Sequence, residues 1–340
     1  MTMRSYALDG VRASVEAFNA VSGQKLRVED SPFVGPRSAP LKTIDIGSEY
    51  PINSNQNVVG LELINGTFVG MHHYGPAGPC DSVHVRDVEF RNHKKWASRS
   101  YRMRGGNRIE FTAFRDVIDE HGIYWNLAGG NKKGEASFTL TSCYFENISS
   151  QAVQLVQRDH EQGFDFVADC VPGGPVFFSD SLLRNVGSGW GDLNRASYAI
   201  SAFGRELQNI DGTATLSTAS IEQAIYIRRV MIDNTMQVLP HKDGATSHGA
   251  LYIGPRPKAT VTGFVALMGK TDRPVARFEG IDDVHLDGCY LHAQGGQAWI
   301  EFENCRQITV TNCKGNVEIH LRTAQGSTSV GTITQGFAQK

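Results

Sequence analysis

The sequence is poor in the features that mark the commonest functional classes. None of its six cysteines (Cys80, Cys143, Cys170, Cys289, Cys305, Cys313) forms a CxxC pair or a metal-ligand spacing, which excludes a zinc-finger site or a redox motif. No stretch approaches the roughly 18 apolar residues of a membrane span, and residues 1–34 contain no apolar run of signal-peptide type. The expectation is a soluble chain made in the cytoplasm, with no membrane partner. Charge of one sign is also missing. With 33 basic and 35 acidic residues the net charge is -2, so there is no broad basic surface for nucleic acid and no acidic tail. Gly129–Gly134 lacks phosphate-loop spacing, no calcium-binding nonapeptide array is present, and the His72-His73 pair has no third ligand nearby. No metal or cofactor is expected.

Glycine, by contrast, is plentiful. Thirty-six glycines against 12 prolines, with many Asn, Ser and Thr, describe a chain of tight turns and short strands. A repeat organises them. Apolar residues at a start position, at plus two and at plus five, usually with another at plus seven, recur in eight places. The copies begin at Val59, Val83, Ile109, Phe138, Val176, Ile225, Val284 and Ile308. The step of two is the alternation of a strand with one buried face, and the jump from plus two to plus five marks a short turn between two strands. A third alternating run follows in most copies: residues 122–125, 152–156, 198–203, 250–253, 298–302 and 317–321. Three short strands per copy make one coil of a β-helix.

Two positions within the coil are informative. Asparagine stands at plus nine as Asn92, Asn147, Asn185 and Asn234, where stacked amides can bond along the ladder and tolerate left-handed backbone. Cys143, Cys289 and Cys313 share the plus-five position, which assigns them to the core. The smallest spacing between copies is 24 residues; the excess elsewhere reads as insertions at 157–175, 204–224 and 254–283, all at the corner after the third strand. At one strand spacing of about 4.8 Å per coil, the rod is on the order of 40 Å long.

Candidate chemistry gathers at the turn after plus nine, where His93-Lys94-Lys95-Trp96, Asp119-Glu120-His121, Ser149-Ser150-Gln151, Trp190 with Asp192, and His241-Lys242-Asp243 with His248 fall on successive coils. Hydrolysis of a polysaccharide needs two carboxyl groups, and elimination beside a uronate needs a base and a cation. Asp119, Glu120, His121 and Asp192 are the candidate catalytic groups; Lys94, Lys95 and Lys242 with Arg102 and Arg104 supply positive charge, and Trp96, Trp125 and Trp190 supply ring faces for sugars. The bland alternative is a solvated turn. The repetition of His-Gly at 121 and 248 argues for a structural turn feeding the third strand, with Gly122 and Gly249 lending backbone freedom.

The repeat, with the amphipathic segment Asp9 to Val21 followed by Lys25-Leu-Arg-Val28, resembles the pectate-lyase-like superfamily of right-handed parallel β-helices. The resemblance implies an all-β fold of about eight to ten three-strand coils, an N-terminal helical cap and first strands over 1–50, the helix proper over 51–322, and a tail over 323–340. Neither the paired aspartates of the polygalacturonase-like hydrolases nor the calcium-ligand aspartates and arginine of pectate lyases are matched. The body is similar to those of bacteriophage tailspikes and virion appendages. That similarity implies recognition, with or without depolymerisation, of a bacterial surface polysaccharide, in a homotrimer or attached to other virion proteins. The alternatives are a free-standing, secreted lyase, hydrolase or epimerase, and a non-catalytic structural virion protein.

Overall fold

The computed structural model describes residues 2–4, 8–9, 18–19, 25–30, 32–34, 52–53 and 60–69. Within 82–322 it describes all but 94–96, 101–105, 118–120, 127–136, 159, 162–163, 166–173, 188–197, 209–213, 217–222, 236–248, 272 and 295–297. The described residues form a parallel β-helix. Strands pair in parallel with those of the next turn of chain, from Thr2–Arg4 on Arg27–Glu29 through to Asp283–Asp287 on Gln307–Thr311. The first-sheet strands of the successive coils begin at Thr2, Lys25, Gly60, Val83, Asn107, Phe138, Val176, Ile225, Arg256, Ile281 and Gln307, which makes eleven coils. We number them 1 to 11. A second sheet follows each of these strands after a short turn, and a third runs from Ser98–Ser100 in coil 4 to Val317–Arg322 in coil 11.

One residue makes the turn between the first two sheets. It stands at plus four and has left-handed backbone in ten coils: Asp30, Asn65, Asp87, Phe111, Ser142, Asp180, Arg229, Gly263, Gly288 and Asn312, with φ between 49° and 60°. Asp, Asn and Gly dominate because they tolerate this region best. The turn keeps its backbone in the ladder. The Ser142, Asp180, Arg229 and Gly263 N–H groups donate forward to the plus-three carbonyls of the next coil, at 2.9–3.1 Å. Two residues on, the Leu182, Met231 and Val265 N–H groups donate backward to plus-five carbonyls, at 2.9–3.0 Å.

Inside, equivalent positions stack. Phe68, Phe90, Phe114 and Phe145 are register partners in consecutive coils, with ring centroids 5.0, 4.9 and 4.7 Å apart and nearly parallel planes. Such offset stacks add to the burial of large apolar area. Cys143, Cys289 and Cys313 are buried, as their plus-five position predicts, and the Cys143 Sγ–H lies 3.3 Å from the Thr141 carbonyl. Burial pushes the Cys143 thiol up to about 12 and makes it inert. Arg256 is fully buried as well, with no carboxylate beside it among the described residues. Its Nε donates to the Gly254 carbonyl and its Nη2 to those of Ala202 and Phe203, and burial lowers its pKa to about 9.

The structure corrects the sequence reading in four places. Phe18–Asn19, inside the expected capping helix, is a strand paired in parallel with Ile52–Asn53, and no helix occurs among the described residues there. Lateral pairing overrides the helical periodicity. The insertion read at 254–283 is coil 9: Ala259, Val261, Phe264 and Ala266 stand in register with Ile225, Ile227, Val230 and Ile232. Two copies are displaced by two residues. Leu61 and Asn107, not Val59 and Ile109, pair with Val83. Phe111 therefore occupies the exposed turn and not the core, while Asn107 fills a core position by accepting from Val83 N–H and donating to the Ser137 carbonyl. Finally, Gly122 and Gly249 do not have left-handed backbone; a Cβ at Gly122 would lie 2.7 Å from the Ala152 carbonyl oxygen, and one at Gly249 only 2.1 Å from the Tyr198 ring.

The amide ladder predicted at plus nine is present in the middle coils. Asn185 Nδ2 donates to Asn147 Oδ1 and Asn147 Nδ2 to Asp116 Oδ1, at 2.8 and 2.9 Å, and all three residues are left-handed. Asn234 departs from it and brackets the Val186 backbone instead, accepting from its N–H and donating to its carbonyl. Asn185→Ala removes a hydrogen bond and forces a Cβ-bearing residue without a polar side chain into left-handed space, at a cost of about 2 kcal/mol. Asn185→Gly loses only the bond. Urea unfolding should therefore rank the midpoints wild type, then Asn185→Gly, then Asn185→Ala.

Candidate functional site

The corner after plus nine carries most of the residues singled out from the sequence. Of these, Lys94, Lys95, Trp96, Arg102, Arg104, Asp119, Glu120, Trp190, Asp192 and Lys242 lie outside the described residues. Those that are described are buried. Trp125 is 1% exposed, packs edge-on against Phe138 at 5.1 Å and donates its Nε1–H to Ser98 Oγ at 3.0 Å. It is a core residue, so its ring face is closed to a sugar. His121 is buried, with its ring and that of Tyr124 edge to face at 5.5 Å. Ser149, Ser150 and Gln151 are buried too, with Ser150 Oγ donating to Gln151 Oε1.

His93 shows why this corner is polar inside. It occupies the core row shared with Val117 and Ile148, and its Nε2 lies 3.2 Å from the Phe68 carbonyl. Complete burial drives its pKa down to about 4 against the smaller opposing effect of that carbonyl, so the ring is neutral in the folded protein at pH 7.

The outer face of the third sheet carries the richest exposed chemistry. Its outward row, read through the strand register, is Tyr124, Gln154, Ser201, Tyr252, Arg277, Glu301 and His320. Its early part is apolar and covered: Tyr124, Val156, Tyr198, Phe203 and Tyr252 form a second buried cluster outside the main core. From coil 9 onward the row turns charged. Arg277 Nη2 lies 3.3 Å from Glu279 Oε2 and bonds Glu303 as well, while its Nε lies 3.2 Å from Glu301 Oε1. Glu301, only 3% exposed at its side chain, is also reached by Arg322 Nε at 3.1 Å. Tyr252 donates its hydroxyl to Glu279 Oε2 at 2.9 Å. Partial burial would depress the Arg277 guanidinium, but the charges of Glu279, Glu303 and Glu301 outweigh it and raise its pKa.

Beside these groups the rings of Trp299 and His320 stack at 5.6 Å and 18°, with His320 Nε2 3.3 Å from Glu318 Oε2. The patch thus sets a ring platform next to carboxylate acceptors and guanidinium donors on three consecutive coils. Among the described residues no group of three His, Cys, Asp or Glu is placed to hold a metal ion, and no helix is long and apolar enough to cross a membrane. The signal for this patch is present in the alternation of Ala-Arg-Phe-Glu at 276–279 and Trp-Ile-Glu-Phe-Glu at 299–303. It is missed when only inward positions are tabulated and 254–283 is read as a loop.

No family model and no curated protein matches the sequence. Among solved structures the chain is similar to the Streptococcus pneumoniae surface protein and adhesin PfbA, with a TM-score of 0.40 and 11% identity over 98% of this chain and 91% of that one.

Burial of a neutral His93 makes stability depend on pH. Unfolded, the ring takes up a proton near its ordinary value of 6.5; folded, it does so only near 4. The stabilisation is complete above 6.5, declines as pH falls through that window, and is gone below about 4. It amounts to roughly 3 kcal/mol. Urea unfolding at pH 7 and pH 4 should show this loss in the wild type, and His93→Leu should flatten the pH slope by that amount.

Proposed function

We propose that the protein is a glycan-binding, right-handed parallel β-helix whose ligand lies against the outer face of the third sheet in coils 9 to 11. On this reading the ligand is a bacterial surface polysaccharide and the protein a virion appendage of the tailspike type. The observation that carries the reading is the stacked Trp299–His320 pair beside Glu301, Glu303 and Arg277. A sugar presents an apolar ring face and a rim of hydroxyls, and this patch offers a ring surface with fixed acceptors and donors at one strand spacing per coil.

Recognition is favoured over cleavage. Glu279 and Glu303 are register neighbours and therefore close enough to suggest a hydrolytic pair, yet Arg277 Nη2 contacts both. Hydrolysis requires one carboxyl group to deliver a proton to the leaving oxygen. Two carboxylates sharing a guanidinium are arranged to accept hydrogen bonds from sugar hydroxyls.

Titration of the purified protein with acidic and neutral bacterial polysaccharides tests this, with reducing ends and unsaturated uronates followed in parallel. Binding should appear for at least one glycan without product. Trp299→Ala should weaken it about tenfold, near 1.4 kcal/mol, with little change in melting temperature. Product that disappears in Glu303→Gln would make the protein an enzyme. Failure of every glycan to bind would overturn the proposal.

A further inference from the structure

The outer face of the second sheet carries a pattern that the glycan reading leaves unused. At plus eight, coils 5 to 8 present Arg115, Glu146, Arg184 and Asp233 as successive register partners, so charge alternates over these four coils, flanked by Arg91 in coil 4 and Leu267 in coil 9. At plus six the same coils present Ala113, Tyr144, Leu182 and Met231, an uncharged row immediately beside the charged one. Leu182 is 37% exposed, one of the few large apolar side chains open to solvent among the described residues. Arg115 lies over the Tyr144 ring at 5.2 Å, which holds the two rows together.

The order of these residues is self-complementary. A two-fold axis running along the strand direction between coils 6 and 7 keeps each row opposite itself and reverses the order of coils. Arg115 then faces Asp233 of a second copy, and Glu146 faces Arg184. In the apolar row Tyr144 faces Leu182 and the large Met231 faces the small Ala113. Every charge meets its opposite and every bulky group a smaller or apolar one, which an isologous contact requires. A parallel arrangement in the same register would set each charge against its like.

We infer that this face docks a second copy of the chain, forming an antiparallel two-fold dimer across coils 5 to 8. The footprint is about 19 Å by 15 Å from strand spacing and rise, roughly 290 Å² per copy and well below the ~800 Å² per partner of a standard interface. The dimer is accordingly weak and dissociates on dilution. It leaves the outer face of the third sheet open, so it is independent of the glycan reading.

Sedimentation of the full chain from about 5 to 300 µM tests the inference. The wild type should pass from monomer to dimer across this range. Arg184→Glu and Glu146→Arg should each remain monomeric where the wild type dimerises, because each places like charges opposite one another. An equimolar mixture of the two variants should dimerise again. In the mixed dimer the native Glu146–Arg184 pair forms on one side of the axis, and on the other the two substituted positions meet with their charges exchanged. That recovery cannot come from contacts within a chain. A wild type that stays monomeric or forms trimers, single variants that dimerise normally, or a mixture that remains monomeric would each overturn it.

Discussion

Everything in this molecule depends on one left-handed residue per coil. At plus four the chain turns from the first sheet to the second, and the N–H of that residue still reaches forward to the next coil while the N–H two places on reaches back. The reversal lets a sharp bend occur without orphaning a buried backbone group. It also fixes phase, since the residues at plus two and plus five must then both face inward. A slip of one residue would turn every inward side chain outward, and the repetition of the turn in ten coils makes such a slip costly everywhere at once.

That fixed phase divides the residues into an inner set that stacks with its own kind and an outer set free to vary. Where the inner set includes polar groups, backbone acceptors or donors meet part of their hydrogen-bonding capacity, as for Asn107, His93 and Arg256. The outer set is where exposed charged and aromatic groups collect. Charged and aromatic groups on the third sheet come together because register places them one strand apart, although Arg277 and Glu301 are 24 residues apart in sequence.

The repeat was legible because most coils mark plus two and plus seven with large apolar side chains and plus five with a small or apolar one. It failed where the chemistry imitated or hid the pattern. Phe111 is apolar but faces solvent, and together with Ile109 it drew one copy out of phase. In coil 9 the inward residues include Ala259 and Ala266, while Pro255, Arg256 and Pro257 look like a loop; no local signal shows that Arg256 Nη2 reaches carbonyls some 50 residues away. The candidate site suffered more. His121 and Trp125 are chemically suggestive residue types, yet both are buried: the phase of the third strand, set by pairing with other coils, turns Trp125 inward, and His121 packs against the Tyr124 ring.

The orientation of the hydrogen bonds has a mechanical consequence. In a sheet of this kind they run between coils, along the rod, while the covalent chain runs around it. A pull along the axis therefore loads the bonds between two coils together and successive coils one after another. A squeeze from the side is resisted by covalent backbone and a stacked aromatic interior. Such a rod is stiff across its width and yields along its length at whichever coil boundary has the fewest paired residues.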